Sequence, residues 1–483
     1  MDLNIDISYK QAWRSKNVAL ESISGCPKSS FAQLPYYCYN LERTNDSTVT
    51  HIETDDEDRF KMVFIAFGVV IRSFKNHMRH LIIIDATHLK GRYEGTNQLA
   101  VGMDGNNQII PITTGVSQGE TGPSWTWFLS KLTECIGEIP DLTIISDRHA
   151  AILSSCGAVF PNAFHGYCCR HLMMNCKLKS IKMQCLFWKM CKAYLVDDFR
   201  MAINELEAKR PDVYQRLIEA GVEMWSRAYC THDRYNYMTS NSAESINNLT
   251  RDVREVPITN LMEWYRQLVQ NGIVDVGKNI KVHGPLDELS PWATAKMRKK
   301  MQKSINWVVV GIETGKVYEV DDHRRVETVE LCNGTCTCRK WQVSGLPCGH
   351  VLAICRVYGL TDCNGLAKRW FMRTALKGTY QELVYPVGEV SSWQIPNNLP
   401  VVKPPVMSKP AGRPKSTKRI RSQGEEPVTV RCGRCGARGH NRQGCRESIA
   451  YTKERTYPRG SSQQAEDYFH QSMPWETVNL DDP

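Results

Sequence analysis

Two short aliphatic runs each end on an aspartate: Leu81 to Ile84 runs into Asp85, and "LTIIS" runs into Asp147. Short β-branched runs bounded by polar residues predict buried strands. Between them, "NQLAVGMDGNNQIIPITTGVS" alternates and then breaks at Asp104-Gly105, which predicts two strands joined by a tight hairpin turn. "PSWTWFLSKLTECIG" carries apolar residues at helical spacing, with Ser124 as the candidate cap. Residues 1 to 80 predict mostly helix, with a linker near "RTNDST". From about 151 to 283 the period is mainly helical, as in "CLFWKMCKAYLVDDFRMAINELEAK" and "NLMEWYRQLVQNGI". Strand alternation returns in "INWVVVGIETGKVYEVDDHRRVETVEL", turning at "ETGK". The stretch 386 to 430 is rich in Pro, Ser, Lys and Arg and predicts an extended linker. No long internal repeat is present.

A strand that ends on aspartate either starts a turn or presents a carboxylate to a site, since Asp side chains bond readily to nearby backbone. Asp104 and Asp141 sit beside turns and read as turn formers, and His88 and His149 read as packing or surface residues. A third carboxylate, Glu244, lies in "TSNSAESINNLTR", where Ser or Asn can cap a helix holding the glutamate in an early turn. Carboxylates converging from two strands and a helix make a hard-oxygen site suited to Mg²⁺ or Mn²⁺. Two such ions, roughly 3.5–4 Å apart, can activate a nucleophilic oxygen and stabilise a leaving oxygen at a phosphate.

Composition narrows the classes. With 483 residues and 42% hydrophobic content, the chain can bury a large core and should divide into two or three domains. The start "MDLNIDISYKQAWRSKN" lacks the pattern of a signal peptide. The longest clean apolar stretch, Met62 to Ile71, is too short to cross a bilayer, so no membrane partner is expected. Nineteen cysteines, an odd number with no secretory signal, favour metal ligation and buried thiols over a disulfide framework. The net charge of +10 is concentrated: residues 401 to 460 hold 15 Lys and Arg against 4 Asp and Glu, and residues 461 to 483 hold 5 acids and no Lys or Arg. A nearly balanced body with a basic arm points to a polyanion partner.

"CTCRKWQVSGLPCGH" sets Cys336, Cys338, Cys348 and His350 in a Cys-x-Cys…Cys-x-His arrangement, a closed tetrahedral set for structural zinc. Gly345 and Gly349 would let the backbone bend between the two halves, and Cys332 and Cys355 are left as free thiols. The arrangement resembles a SWIM zinc finger. "CGRCGARGHNRQGC" supplies Cys432, Cys435, His440 and Cys445 as a second set, resembling a CCHC zinc knuckle that binds single-stranded nucleic acid or protein. Arg434, Arg438 and Arg442 in its loops suit phosphate contact, but it lacks an aromatic residue on which a base could stack. Between the two sets, "KPAGRPKSTKRIR" resembles an AT-hook core. There Arg413, Lys415, Lys418 and Arg419 would follow a DNA groove or act as a nuclear-import signal.

"IDATHLKGRYEGTNQLAVGMDGNNQIIPI", "SWTWFLSKL", "IISDRHAAI", "FPNAFHGYCCRHLMMNCK" and "SNSAESINN" occur in this order. Together they resemble the transposase domain of plant Mutator-like elements (MULE) and their domesticated relatives, over roughly residues 10 to 360. The resemblance implies an α/β, ribonuclease-H-like mixed sheet with a helical insertion, followed by small zinc-binding modules. It matches Asp85, Asp147 and Glu244 to a catalytic Asp-Asp-Glu metal triad. It matches Cys168 and His171 to a Cys-x-x-His motif, read either as a structural contact or as a partial metal site.

The expected layout is a helical remnant at 1–80, the transposase domain with its insertion at 81–283 and the SWIM region at 306–360. The basic linker at 386–430, the knuckle at 431–446 and an acidic, disordered tail at 447–483 would follow. Only about eighty residues precede Asp85, where full-length relatives carry a zinc-type DNA-binding domain, so recognition of element ends is not expected. The expected protein is a nuclear Mutator-like transposase or a derivative of one, holding two structural Zn²⁺ ions and binding DNA. Its ancestral chemistry would be two-metal strand cleavage and transfer, with Mg²⁺ or Mn²⁺ at the triad. The alternatives are a non-catalytic nuclear DNA-binding transcriptional regulator and a single-stranded nucleic-acid binder working through the knuckle. Self-association remains open as a further partner class.

Overall fold

Strand pairing centres on the aliphatic runs. In the computed structural model, residues 8–281, 288–313, 315–360, 363–406, 432, 437, 438 and 440 are described. The chain divides into two units, the second spanning Met407–Glu476. In the first unit, strands β1 (Val49–Thr54), β2 (Phe60–Ala66), β3 (Leu81–His88), β4 (Thr96–Met103), β5 (Ile109–Ser117), β6 (Thr143–Ser146) and β7 (Phe164–Tyr167) form one sheet. Its order is β1-β2-β5-β4-β3-β6-β7. The pairs from β1 to β3 are antiparallel, while β3–β6 and β6–β7 are parallel. The fold is thus the expected mixed α/β type. Leu81 to Ile84 are fully buried, as a central strand covered on both faces requires.

The expectation of a mostly helical N-terminal region is corrected. Helices Tyr9–Ser24, Pro27–Thr44 and Gly68–His77 are present, but β1 and β2 lie between them and extend the sheet. "FKMVFIA" is buried at every position but Lys61. Such a continuous apolar run has no period with which to separate a doubly covered strand from a buried helix. The β4–β5 connection is also wider than a two-residue turn. Met103 pairs with Ile109, Asp104 Oδ1 accepts the N–H groups of Asn106 and Gln108, and the positive φ (66°) belongs to Asn107. Helix Gly122–Ile136 is capped by Thr121, with Ser124 at the third helical position completing a reciprocal capping box.

After β7 the chain is mainly helical up to residue 281, broken most by the irregular stretch 226–240. Helix Val196–Lys209 buries Phe199, Ala202, Ile203 and Leu206, one face at helical spacing. It packs with helices Ile181–Lys192 and Pro211–Glu219 around Phe187, Val213, Leu217 and Trp225, a core separate from the sheet. Helix Asn241–Leu249 then returns to β3. Strands β8 (Val308–Glu313), β9 (Val317–Asp321), β10 (Val326–Glu330) and β11 (Thr335–Cys336) form a second, antiparallel sheet in the order β11-β10-β9-β8.

The extended-linker expectation for 386–430 is corrected in its first part. The N–H of Phe60 donates to the Lys403 carbonyl at 2.9 Å, and the N–H of Lys403 donates to Asp58 at 2.8 Å. Asn40 Nδ2 donates to the Gln394 carbonyl at 2.9 Å, and Val402 is 1% exposed. Val387 and Val402 bury, while Val390, Val401 and Val406 stay exposed, and the tract forms little regular structure. The remainder, 407–430 with Arg413, Lys415, Lys418 and Arg419, lies outside the described residues, as do Arg434, Cys435, Arg442, Cys445 and the acidic tail. In the second unit, the N–H of buried Cys432 donates to the Ala437 carbonyl at 2.8 Å, and Arg438 is exposed.

Candidate active site and zinc centre

The parallel register places the acidic site. Ile83 aligns with Ile145, and Ile145 with Gly166. Two residues further along each strand direction stand Asp85, Asp147 and Cys168. Side chains two apart share a face and neighbouring strands lie about 4.8 Å apart, so these three residues stand at the same level. Asp147 and Cys168 lie just past the ends of β6 and β7, and Asp85 lies within β3, which runs on to His88 and pairs Asp85 with Leu99. The N–H of Cys168 donates to the Ser146 carbonyl at 2.7 Å and continues the ladder past its last paired residue.

Glu244 arrives from helix Asn241–Leu249, whose N-cap residue is Ser240. The Ser240 hydroxyl donates to Glu244 Oε1 at 3.1 Å instead of capping the backbone. Asn247, one helical turn beyond Glu244, donates from Nδ2 to Asp85 Oδ2 at 2.9 Å. Asp147 Oδ1 accepts the N–H of His149 at 3.1 Å. Burial pushes the Asp85 carboxyl up to about 7; the Asn247 hydrogen bond opposes that rise, and the charges of Glu244 and Asp147 add to it. The charges of Glu244 and Asp147 are felt at Asp85, with no lysine or arginine bonded to any of the three among the described residues, but their oxygens do not all lie within 4.8 Å of one another. An all-oxygen donor set that resists full ionisation fits one or two hard divalent cations. His88 and His149 are exposed and stand outside this set.

Cys168 and His171 adjoin it. Cys168 Sγ accepts the N–H of Ser240 at 3.3 Å, and His171 Nε2 lies 3.7 Å from Glu244 Oε1. Burial raises the Cys168 thiol, but hydrogen bonds from His171 and Ser240 outweigh it and lower its pKa. The bond to Cys168 in turn raises His171 to about 9. Arg234, fully buried, donates to the carbonyls of Tyr237, Met224 and Tyr167, fastening the end of β7 to the insertion. Sequence reasoning missed the roles of Ser240, Asn247 and Arg234. For Asn247 the usable signal was its i+3 spacing from Glu244 on one helix face.

The second centre forms where β11 meets helix Gly349–Val357. Cys336, Cys338, Cys348 and His350 are all buried, with their ligand atoms within 4.8 Å of one another. Cys336 Sγ lies 3.3 Å from Cys338 Sγ and 3.5 Å from His350 Nδ1. On the far side of the ring, Nε2 faces Asp322 Oδ2 at 3.6 Å, and Trp307 stacks on the imidazole. A carboxylate behind a ligating imidazole fixes its orientation and raises its basicity. Of the two glycines, Gly345 takes a left-handed φ of 72°, whereas Gly349 leaves room for the Trp307 ring, which a Cβ would approach to 2.6 Å. Three thiols and an imidazole in this arrangement fit tetrahedral zinc. Cys332 is exposed and Cys355 buried, both free.

Residues 81–175 match the MULE transposase domain and residues 310–359 match the SWIM zinc finger. Among curated proteins, the chain is similar to FAR1-RELATED SEQUENCE 5 of Arabidopsis thaliana, at 22% identity over 70% of this chain and 47% of that protein. It is also similar to FAR1-RELATED SEQUENCE 10 of the same plant, at 21% over 71% of this chain and 55% of that one. The chain thus spans about half the length of these relatives. Glu244 lies beyond the matched transposase segment, so its place beside the two aspartates rests on the tertiary structure. Among the described residues no helix is long and apolar enough to cross a membrane.

Proposed function

We propose that this MULE- and SWIM-bearing chain is a nuclear, DNA-binding protein of transposase descent. In this reading its acidic triad holds divalent metal for cleavage and transfer of DNA strands, and its SWIM centre holds structural zinc. The observation that carries the reading is the shared level of Asp85 and Asp147 on adjacent parallel strands, with Glu244 swung in by the helix that also supplies Asn247. Asp85, Asp147 and Glu244 would be the ligands. Bound Mg²⁺ or Mn²⁺ would supply a water or hydroxyl of lowered pKa and charge stabilisation at the phosphate. Asn247 and Ser240 orient the Asp85 and Glu244 oxygens, and the Asp85 proton must leave before that carboxylate can ligate.

The test is thermal melting with and without Mn²⁺, beside DNA strand cleavage, for the wild type and for Asp85→Asn, Asp147→Asn and Glu244→Gln. Mn²⁺ should raise the wild-type melting temperature and leave each variant unmoved. Because only ionised Asp85 ligates, Mn²⁺ affinity should climb with pH up to about 7 and level off above it. A wild-type melt indifferent to Mn²⁺, with no cleavage, would replace this reading with that of a DNA-binding regulator that does not cut.

A further inference from the structure

We propose that Cys168, His171 and Glu244 form a third zinc site, which shares Glu244 with the acidic triad. One ligand atom from each of these residues lies within 4.8 Å of the other two. The 3.7 Å from His171 Nε2 to Glu244 Oε1 is too long for a good hydrogen bond. It suits two atoms that each sit about 2.0–2.2 Å from one ion. The donors are sulfur, nitrogen and oxygen, a borderline-soft set that favours zinc over the all-oxygen, octahedral preference of Mg²⁺. A thiolate and a carboxylate also balance the charge of a divalent ion, which matters because Cys168 is fully buried.

A supporting layer is already in place. Ser240 donates its N–H to Cys168 Sγ at 3.3 Å and its hydroxyl to Glu244 Oε1 at 3.1 Å, so one residue orients two of the three ligands. Three protein ligands leave the fourth position to water. The ligands come from the end of β7, from helix Cys169–Asn175 and from helix Asn241–Leu249, and zinc would tie the start of the insertion to its end. Glu244 has one carboxylate to offer. Zinc held there would pull it toward Cys168 and compete with the hard cation at the triad. That competition, though not the site itself, rests on the two-metal reading.

The experiment measures zinc per full-length chain after equilibration in a zinc buffer, for the wild type, Cys168→Ser, His171→Gln and Glu244→Gln. Folding is checked by circular dichroism, and thiolate-to-metal absorption is recorded after Co²⁺ replaces zinc. Each variant should lose one zinc equivalent while keeping the SWIM zinc, and Cys168→Ser should also lose cobalt–thiolate absorption. Since Cys168 is fully buried and its variant could fail to fold, partly exposed His171 decides the count. Equal zinc content in the wild type, His171→Gln and Glu244→Gln would overturn the site. Melts of the same samples in Mn²⁺ separate the two proposals. Zinc lost in the variants, with a wild type that ignores Mn²⁺, would sustain this site and overturn the two-metal reading. Unchanged zinc with a normal Mn²⁺ response would do the reverse.

Discussion

Asp104 opens the β4–β5 turn with its side chain fully buried, accepting two backbone N–H groups on Oδ1 and the Tyr380 hydroxyl on Oδ2. Burial pushes its carboxyl from 3.8 up to about 6, against the pull of those hydrogen bonds. The raised value sets the sign. Below pH 3.8 both folded and unfolded chains hold the proton. Between 3.8 and about 6 the unfolded chain releases it first, so this residue's contribution to stability falls as pH rises, and above 6 it stays level. The swing is about 3 kcal/mol at 1.36 kcal/mol per pH unit. Asn keeps the acceptor for Asn106 and Gln108 without the ionisation. Denaturant unfolding should show Asp104→Asn gaining on the wild type from pH 4 to pH 6.5; a difference that does not change with pH would refute this. Asp85, also raised by burial, follows the same direction.

At the scale of the element, the β4–β5 turn is fixed from outside. A Cβ on Gly105 would approach the Trp370 carbonyl oxygen to 2.0 Å, and the Ser290 hydroxyl donates to the Gly105 carbonyl. Glycine is required here for close approach, because the left-handed conformation belongs to Asn107. Gly105→Ala should therefore destabilise the chain by about 1–3 kcal/mol, the usual cost of overpacking. Asn107→Gly relieves a positive φ but removes the Oδ1 that accepts from the Tyr237 hydroxyl and from buried Arg79, so it too should destabilise, by about 1–3 kcal/mol. A Gly105→Ala protein with an unchanged unfolding midpoint would mean that the segment carrying Trp370 moves aside freely. The acidic site depends on the same kind of external hold: Arg234 clamps β7 and Asn247 clamps β3, each from helical segments far along the chain.

For the whole molecule, the basic arm is the separable part. Lys403 belongs to the body, since its backbone pairs with Asp58 and Phe60 and its ammonium lies 3.2 Å from Asp58 Oδ2. Residues 401–460 carry 15 Lys and Arg against 4 acids. Deleting 407–459 should leave the melting temperature nearly unchanged and, on the proposed DNA-binding reading, weaken affinity for DNA. It should also flatten the slope of log K against log salt by about 0.9 for each phosphate that the arm no longer neutralises. A slope equal to that of the full chain would place the DNA-binding surface on the body. The SWIM centre is not separable in this way, because Arg339 beside its ligands donates to the carbonyls of Ala228 and Cys230, in the segment between β7 and helix Asn241–Leu249.

Local chemistry made several features legible in the sequence alone. The aliphatic runs announced β3 and β6 because a strand covered on both faces must be apolar throughout. The Cys-x-Cys and Cys-x-His pairs announced one metal centre, since each pair is set by a single turn of backbone. Helical periodicity announced the helices after β7, because they bury one face against each other. What lay beyond reach depends on contacts between distant segments. The register of β3, β6 and β7 put Asp85, Asp147 and Cys168 at one level, and no spacing along the chain encodes that. Asn247 and Ser240 became orienting residues only when their helix docked. β1 and β2 joined the sheet because an apolar run without a diagnostic period takes whichever conformation its neighbours cover, and residues 386–406 are tied to the body at a few points by hydrogen bonds that no spacing announces. Sequence thus determined which residues carry the chemistry, and tertiary structure decided which of them meet, since hydrogen bonds and metal ligands act over a few ångströms of space whatever their separation in the chain.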